Sequence, residues 1–213
     1  MDELNFTSIF HLPTSIFIMK KLYLFDFDGT LTYKDTMFLF LKFYNPAKYS
    51  IQFLKHVPLF ILLKLKLASA EAVKKSFISS MLKGESRYNI EKKAKLFFEE
   101  NYPSLIRENA LDFINNIDVE NTESYIVSAS LDIWVKPFAE KFNMTLVATN
   151  AEFVDDIFTG KFIGKNCNKD EKVCRIEAEL GDKKFDKIIA FGDTSGDKPM
   201  FKFANESHYR FFH

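Results

Sequence analysis

Residues 20–31 read KKLYLFDFDGTL, and the fold follows from this stretch. Leu22-Tyr23-Leu24-Phe25 is a short apolar run that closes on Asp26-Phe27-Asp28 and breaks at Gly29. A run this short and this apolar is the pattern of a strand buried on both faces, as in a parallel sheet, with its acids at the C-terminal end. Asp26 and Asp28 lie two residues apart, and in extended chain such residues point the same way.

The same pattern recurs downstream. Ser124-Tyr125-Ile126-Val127 runs into Ser128-Ala129-Ser130, and Ile188-Ile189-Ala190-Phe191 runs into Gly192-Asp193. Met144–Thr149 reads as another strand, His208–Phe211 as a last one, and Phe153–Ile163 as a hairpin turning at Thr159-Gly160. Helical periodicity fills the gaps: Ser104–Ile117, Ile133–Phe142 with Trp134, Phe138 and Phe142 on one face, and Lys169–Leu180 stopping at Gly181. Strands alternating with helices predict an α/β fold with a Rossmann-like parallel sheet, whose ligands sit at the C-terminal strand ends. Those ends carry Asp26 and Asp28, Ser128, and Asp193.

Two carboxylates on one side of a loop suit two jobs: one stays ionised and attacks, the other holds a proton for a leaving oxygen. Asp193-Thr194-Ser195-Gly196-Asp197 adds acids from a second strand end. Together they form a hard oxygen site suited to Mg²⁺. Ser128 is a hydroxyl donor, and Lys172 a cation that only the surrounding motifs raise above an ordinary surface lysine.

Composition narrows the class. The 213 residues carry 29 basic and 29 acidic side chains, 47% hydrophobic and 27% charged residues, so a basic nucleic-acid binder is not expected. Cys167 and Cys174 match no zinc spacing and make no disulfide framework, and a reducing cytoplasm is the expected compartment. The 25 phenylalanines are read as core filling. Residues 1–18 lack the basic start of a signal peptide and are interrupted by His11 and Pro13. Met19 opens the first strand, so this segment is expected to be a non-native or disordered extension. Residues 36–102 read as helical, punctuated by Pro46, Pro58 and Gly84.

The ordered set Asp26-Phe27-Asp28-Gly29-Thr30, Ser128, Lys172 and Gly192-Asp193 with Asp197 resembles the haloacid dehalogenase-like superfamily from Lys20 to Phe211. The stretch from Thr159-Gly160 through Asn166-Cys167 to Glu171-Lys172 looks like its phosphoserine-phosphatase-type branch (subfamily IB). The resemblance implies a catalytic core over 19–35 and 103–213, with 36–102 inserted as a helical cap. It implies a phosphatase in which Asp26 is the nucleophile and forms an aspartyl-phosphate, while Asp28 serves as acid and then base. It implies substrate contacts at Thr30, Ser128, Ala129 and Lys172. It also implies Mg²⁺ held by Asp26, Asp28 through its carbonyl, and Asp193, with Asp197 in support. Lys165 and Lys169 compete with Lys172, which the family pattern favours. The second acid, Asp28, argues against dehalogenation, since true dehalogenases lack it.

The cap directs the choice of substrate. Residues 36–83 hold eight lysines and one acid, Glu71, and Lys55, Lys64 and Lys66 flank the apolar run Val57–Leu63. That run is far short of the roughly 20 residues that span a bilayer. It suits either a packed cap helix or peripheral contact with an anionic membrane, on its inner face. The long apolar cap, Ser128-Ala129-Ser130 and Trp134 are similar to phosphatidylglycerophosphatase C-like members of the branch. Ala129-Ser130 departs from the Ser-Gly-Gly usual in phosphoserine phosphatases. The expected substrate is therefore a lipid-linked phosphomonoester. A small soluble metabolite such as phosphoserine is the alternative, and an inactive binding module on the same fold the remote one. No partner protein is inferred.

Overall fold

The computed structural model describes residues 19–213; residues 1–18, read above as an extension, lie outside the described residues. Six strands form one sheet: β1 (Lys21–Phe25), β2 (Thr122–Leu131), β3 (Thr145–Val154), β4 (Ile157–Ile163), β5 (Lys187–Gly192) and β6 (Glu206–Tyr209). Their spatial order is β4-β3-β2-β1-β5-β6. All neighbours pair in parallel except β3 and β4. This is the Rossmann-like α/β fold that the sequence predicts.

Alternation along β1 sorts the core into two layers. Leu22 and Leu24 pack with Val127, Ile176, Leu180 and Met200 on one face. There lie α7 (Asp170–Leu180) and α8 (Lys198–Phe203). Phe25 points to the other face, where its ring stacks on Phe191 at 4.9 Å. Phe113 packs edge-on against both rings, and Phe212 stacks on Phe191 at 5.3 Å. Among the described residues ten phenylalanines are buried in the core, while Phe53 and Phe211 are exposed. Phe113 comes from α5 (Glu108–Asn115), while α6 (Asp132–Lys141) buries Ile133, Trp134, Val135, Phe138 and Ala139.

Between β1 and α5 the chain makes four helices: α1 (Thr36–Tyr44), α2 (Pro46–Lys64), α3 (Ala70–Leu82) and α4 (Arg87–Asn101). Each begins at a capping side chain that accepts from a first-turn amide: Asp35, Asn45, Ser69 and Ser86. Pro46 sits at the first position of α2, where its missing N–H costs nothing.

Several boundaries differ from expectation. Pro58 does not punctuate α2, which runs through it; the helix forgoes one backbone bond there. The helix expected from Ser104 starts at Glu108, because Ile106 bridges Thr32 and Arg107 N–H donates to Leu31 C=O at 2.9 Å. The β3–β4 hairpin turns at Asp155-Asp156, both at positive φ (47° and 61°), not at Thr159-Gly160. Gly160 lies inside β4 at φ 82°, and a Cβ there would meet the Ser79 side chain of α3. Glycine marks the close approach of a helix, not a turn.

Candidate active site

The parallel register brings three strand ends to one edge of the sheet. β1 stops at Phe25, and the Asp26 N–H donates to Phe191 C=O at 2.9 Å, tying it to β5. The chain then makes one wide turn over Phe27–Leu31, closed by Thr32 N–H on Phe27 C=O. That turn requires Gly29: its φ is 85°, and a Cβ would stand 2.6 Å from the Asp193 carboxylate.

Lys172, in the first turn of α7, is the hub. Its Nζ donates to Asp26 Oδ1 and Asp197 Oδ1, each at 2.6 Å, and to Val127 C=O at 2.9 Å. It is 1% exposed. Burial alone would lower its pKa, but the two carboxylates hold it above the usual lysine range. Lys165 and Lys169 are exposed instead. Asp197 is held below the usual carboxylate range against its burial, chiefly by Lys172 and by the amide and hydroxyl of Thr194. Burial pushes Asp26 up to about 7; Lys172 opposes that push and Asp197 adds to it. Asp193 is also raised, by burial and by Asp197. Thr30 Oγ joins the two acids, donating to Asp26 at 3.0 Å and to Asp193 at 3.3 Å.

Asp28 faces a separate set of donors. Its Oδ1 accepts from the N–H (2.7 Å) and hydroxyl (2.5 Å) of Thr36. Its Oδ2 accepts from Ser130 Oγ at 2.5 Å and Ser128 Oγ at 3.4 Å. Trp134 Nε1 donates to Thr36 Oγ at 3.2 Å and fixes that hydroxyl. The two aspartates therefore occupy unlike surroundings: Asp26 is next to an ammonium, Asp28 among hydroxyls.

These groups border a cavity of about 180 Å³ lined by Asp26, Asp28, Asp35, Lys74, Ala129, Asn168, Lys172, Thr194 and Asp197. A roomier cleft of about 230 Å³ at the opposite end of β2 and β3 gathers one charged side chain, Glu123. Sequence reasoning missed Asp35, Lys74, Asn168 and the role of Ser130. Lys74 comes from α3 and donates to Ala129 C=O at 2.7 Å. Burial depresses its pKa, while Asp28, Asp35 and Asp26 work against that. Asp35, at the rim, is pushed up to about 6 by partial dehydration and by the charge of Asp28. Lys74 shares a helical register with buried Ile78 and Met81, but Lys75 does so with Ile78 and Leu82, so the pattern does not single it out.

Carboxylate oxygens of Asp26, Asp193 and Asp197 lie within 4.8 Å of one another. Asp26 and Asp193 are both raised in pKa by burial and by the charge of Asp197, a repulsion that a divalent cation would relieve. The donor set is all oxygen, the chemistry Mg²⁺ favours. The Asp28 carboxylate is turned to its hydroxyls and stands outside this cluster.

The haloacid dehalogenase-like hydrolase profile matches residues 23–202, spanning the strand ends and the helices between them. The chain belongs to this hydrolase family. It is 35% identical over 191 residues to protein CicA of Caulobacter vibrioides, covering 88% of this chain and 85% of that one. Among solved structures, a protein of unknown function from Bordetella pertussis Tohama I superposes with TM-score 0.75 at 18% identity, covering 89% of both chains. A substrate-bound phosphoserine phosphatase superposes with TM-score 0.63 at 22% identity, covering 88% of this chain and 84% of that one. These structural likenesses are likenesses of fold.

Proposed function

We propose that this hydrolase is a Mg²⁺-dependent phosphomonoesterase working through an aspartyl-phosphate on Asp26. The observation that carries this reading is the contrast between the two aspartates. Asp26, beside the Lys172 ammonium, is set up as a carboxylate nucleophile: an Oδ attacks phosphorus and the ester oxygen leaves. Asp28, ringed by Thr36, Ser128 and Ser130, delivers a proton to that oxygen. It then takes one from the water that hydrolyses the acyl-phosphate. Lys172 and Ser128 meet the charge on the phosphoryl oxygens. Asp26, the Asp28 carbonyl and Asp193 would hold Mg²⁺, which when bound offsets negative charge between nucleophile and phosphate. Asp197 positions Lys172. A phosphoserine phosphatase of the same fold is known as a phospho-aspartyl intermediate analogue, and that supports the covalent route.

The substrate we infer is a phosphomonoester on a lipid-linked carrier, phosphatidylglycerophosphate being the example to which the cap's resemblance points. A second reading, a small zwitterion such as phosphoserine, is favoured by one observation: Lys74 and Asp35, of opposite charge, line the same 180 Å³ cavity as the nucleophile. Parallel assays with both compounds decide between them. The chemistry itself is tested by Asp26→Asn, which replaces the attacking oxygen with an amide. Turnover of an aryl phosphate should fall on the order of 10⁴-fold or more, with the melting temperature preserved. Beryllium fluoride with Mg²⁺ should raise the melting temperature of wild type but not of the variant. Near-normal turnover in Asp26→Asn would overturn the covalent mechanism, and Mg²⁺-dependent aryl-phosphate hydrolysis by wild type excludes an inactive binding module.

A further inference from the structure

Helix α2 has 19 residues and one buried side chain, His56. Its inner face packs on α3, where Tyr49, Phe53, His56 and Phe60 surround the Phe77 ring. Its outer face is also apolar. Ile51, Leu54, Ile61, Leu62 and Leu65 are 39–73% exposed, and exposed Pro58 lies among them. At about 100° per residue these six positions fall within an arc of roughly 100°, a continuous stripe. An apolar stripe of this length on the surface marks a contact.

Charge identifies what it contacts. Lys55 and Lys64 border the stripe on its two sides, and Lys66 follows the helix. None of the three forms an ion pair among the described residues, and α2 contains no acid. Residues 36–83 hold eight lysines against one Glu. Two copies meeting through this face would set lysine against lysine, which opposes self-association. An anionic surface with an apolar interior complements both features at once. No described helix is long and apolar enough to cross a membrane.

We propose that α2 is an interfacial helix: its outer stripe inserts into the headgroup boundary of an anionic bilayer while Lys55, Lys64 and Lys66 meet lipid phosphates. This surface is separate from the catalytic reading, since its test measures binding and not turnover. The full chain should co-sediment with phosphatidylcholine vesicles that contain phosphatidylglycerol, and fail to do so when that lipid is omitted or salt is high. Changing Lys55, Lys64 and Lys66 together to Gln should cut partitioning about fivefold per lysine at low salt, the equivalent of about 1 kcal/mol each. Leu54→Ser with Ile61→Ser, at unchanged charge and melting temperature, should lower it as well. Aryl-phosphate hydrolysis should be unchanged in both. Three results overturn the proposal. One is wild type remaining in the supernatant at low salt. Another is vesicle binding that disappears in a chain starting at Met19, which would assign it to residues 1–18. The third is a wild-type dimer that the Leu54→Ser, Ile61→Ser variant dissolves, which would make the stripe a self-contact.

Discussion

Lys172 at the strand ends and Lys55 on α2 are the same residue under opposite conditions. Lys172 is withdrawn from water, and three acceptors within 2.9 Å replace its hydration. Lys55 is exposed and bonded to nothing described. Two helices show the contrast again: α6 buries five of its ten residues, while α2 buries one of nineteen. Hydrophobic composition thus tells what a segment gains by leaving water, and the topology around it tells whether it can.

The comparison is broken most sharply at the hub. Lys172→Met leaves Asp26 and Asp197 buried without their cation, and should destabilise by about 3–5 kcal/mol while abolishing turnover. Lys55→Met should change stability by less than about 0.5 kcal/mol; chemical denaturation of both variants checks the pair. If the two cost the same, the buried network is not what holds the strand ends together. Phe138→Ala, in the middle of α6, should cost about 3–5 kcal/mol by the same measurement, through lost burial and a cavity.

Asp193→Ala sharpens the picture of the acidic cluster. It should raise the Mg²⁺ concentration needed for half-maximal activity by about tenfold or more, partly recovered at excess metal. The metal-free fold should be no less stable, since a carboxylate near Asp197 is gone. An unchanged Mg²⁺ titration would place the metal elsewhere. The smallest effect belongs to Leu54→Ala on the outer stripe, which should leave the melting temperature within about 2 °C. A larger drop would mean that the stripe is packed in solution.

The strand ends were legible because each apolar run stops at chemistry: acids at Asp26 and Asp193, hydroxyls at Ser128 and Ser130. What was hidden came from tertiary contact. Gly160 looked like a turn because nothing in the sequence announces that α3 passes over β4. Lys74 reaches the cavity only because α3 folds back over the strand ends, and among the eight lysines of residues 36–83 local sequence gives it no polar motif. Ser130 lay in a quoted motif but received no role, because the irregular pairing of β2 with β3 after Ser128 aims it at Asp28 in a way that strict alternation does not predict.

Among the described residues β4 is the last strand on its side of the sheet, and such a strand offers unpaired amides to any other chain. Here the segment between α3 and α4 occupies that margin. Gly84 N–H donates to Phe158 C=O at 3.0 Å, Phe158 N–H to Glu85 C=O at 2.9 Å, and Arg87 N–H to Asp156 C=O at 2.7 Å. The segment joining α3 to α4 thus occupies hydrogen-bonding groups that another chain could otherwise pair with. A chain stripped of residues 36–102 would bare that β-edge together with Trp134 and Phe138 of α6, which Phe40, Phe97 and Phe98 now cover, so it should aggregate through both.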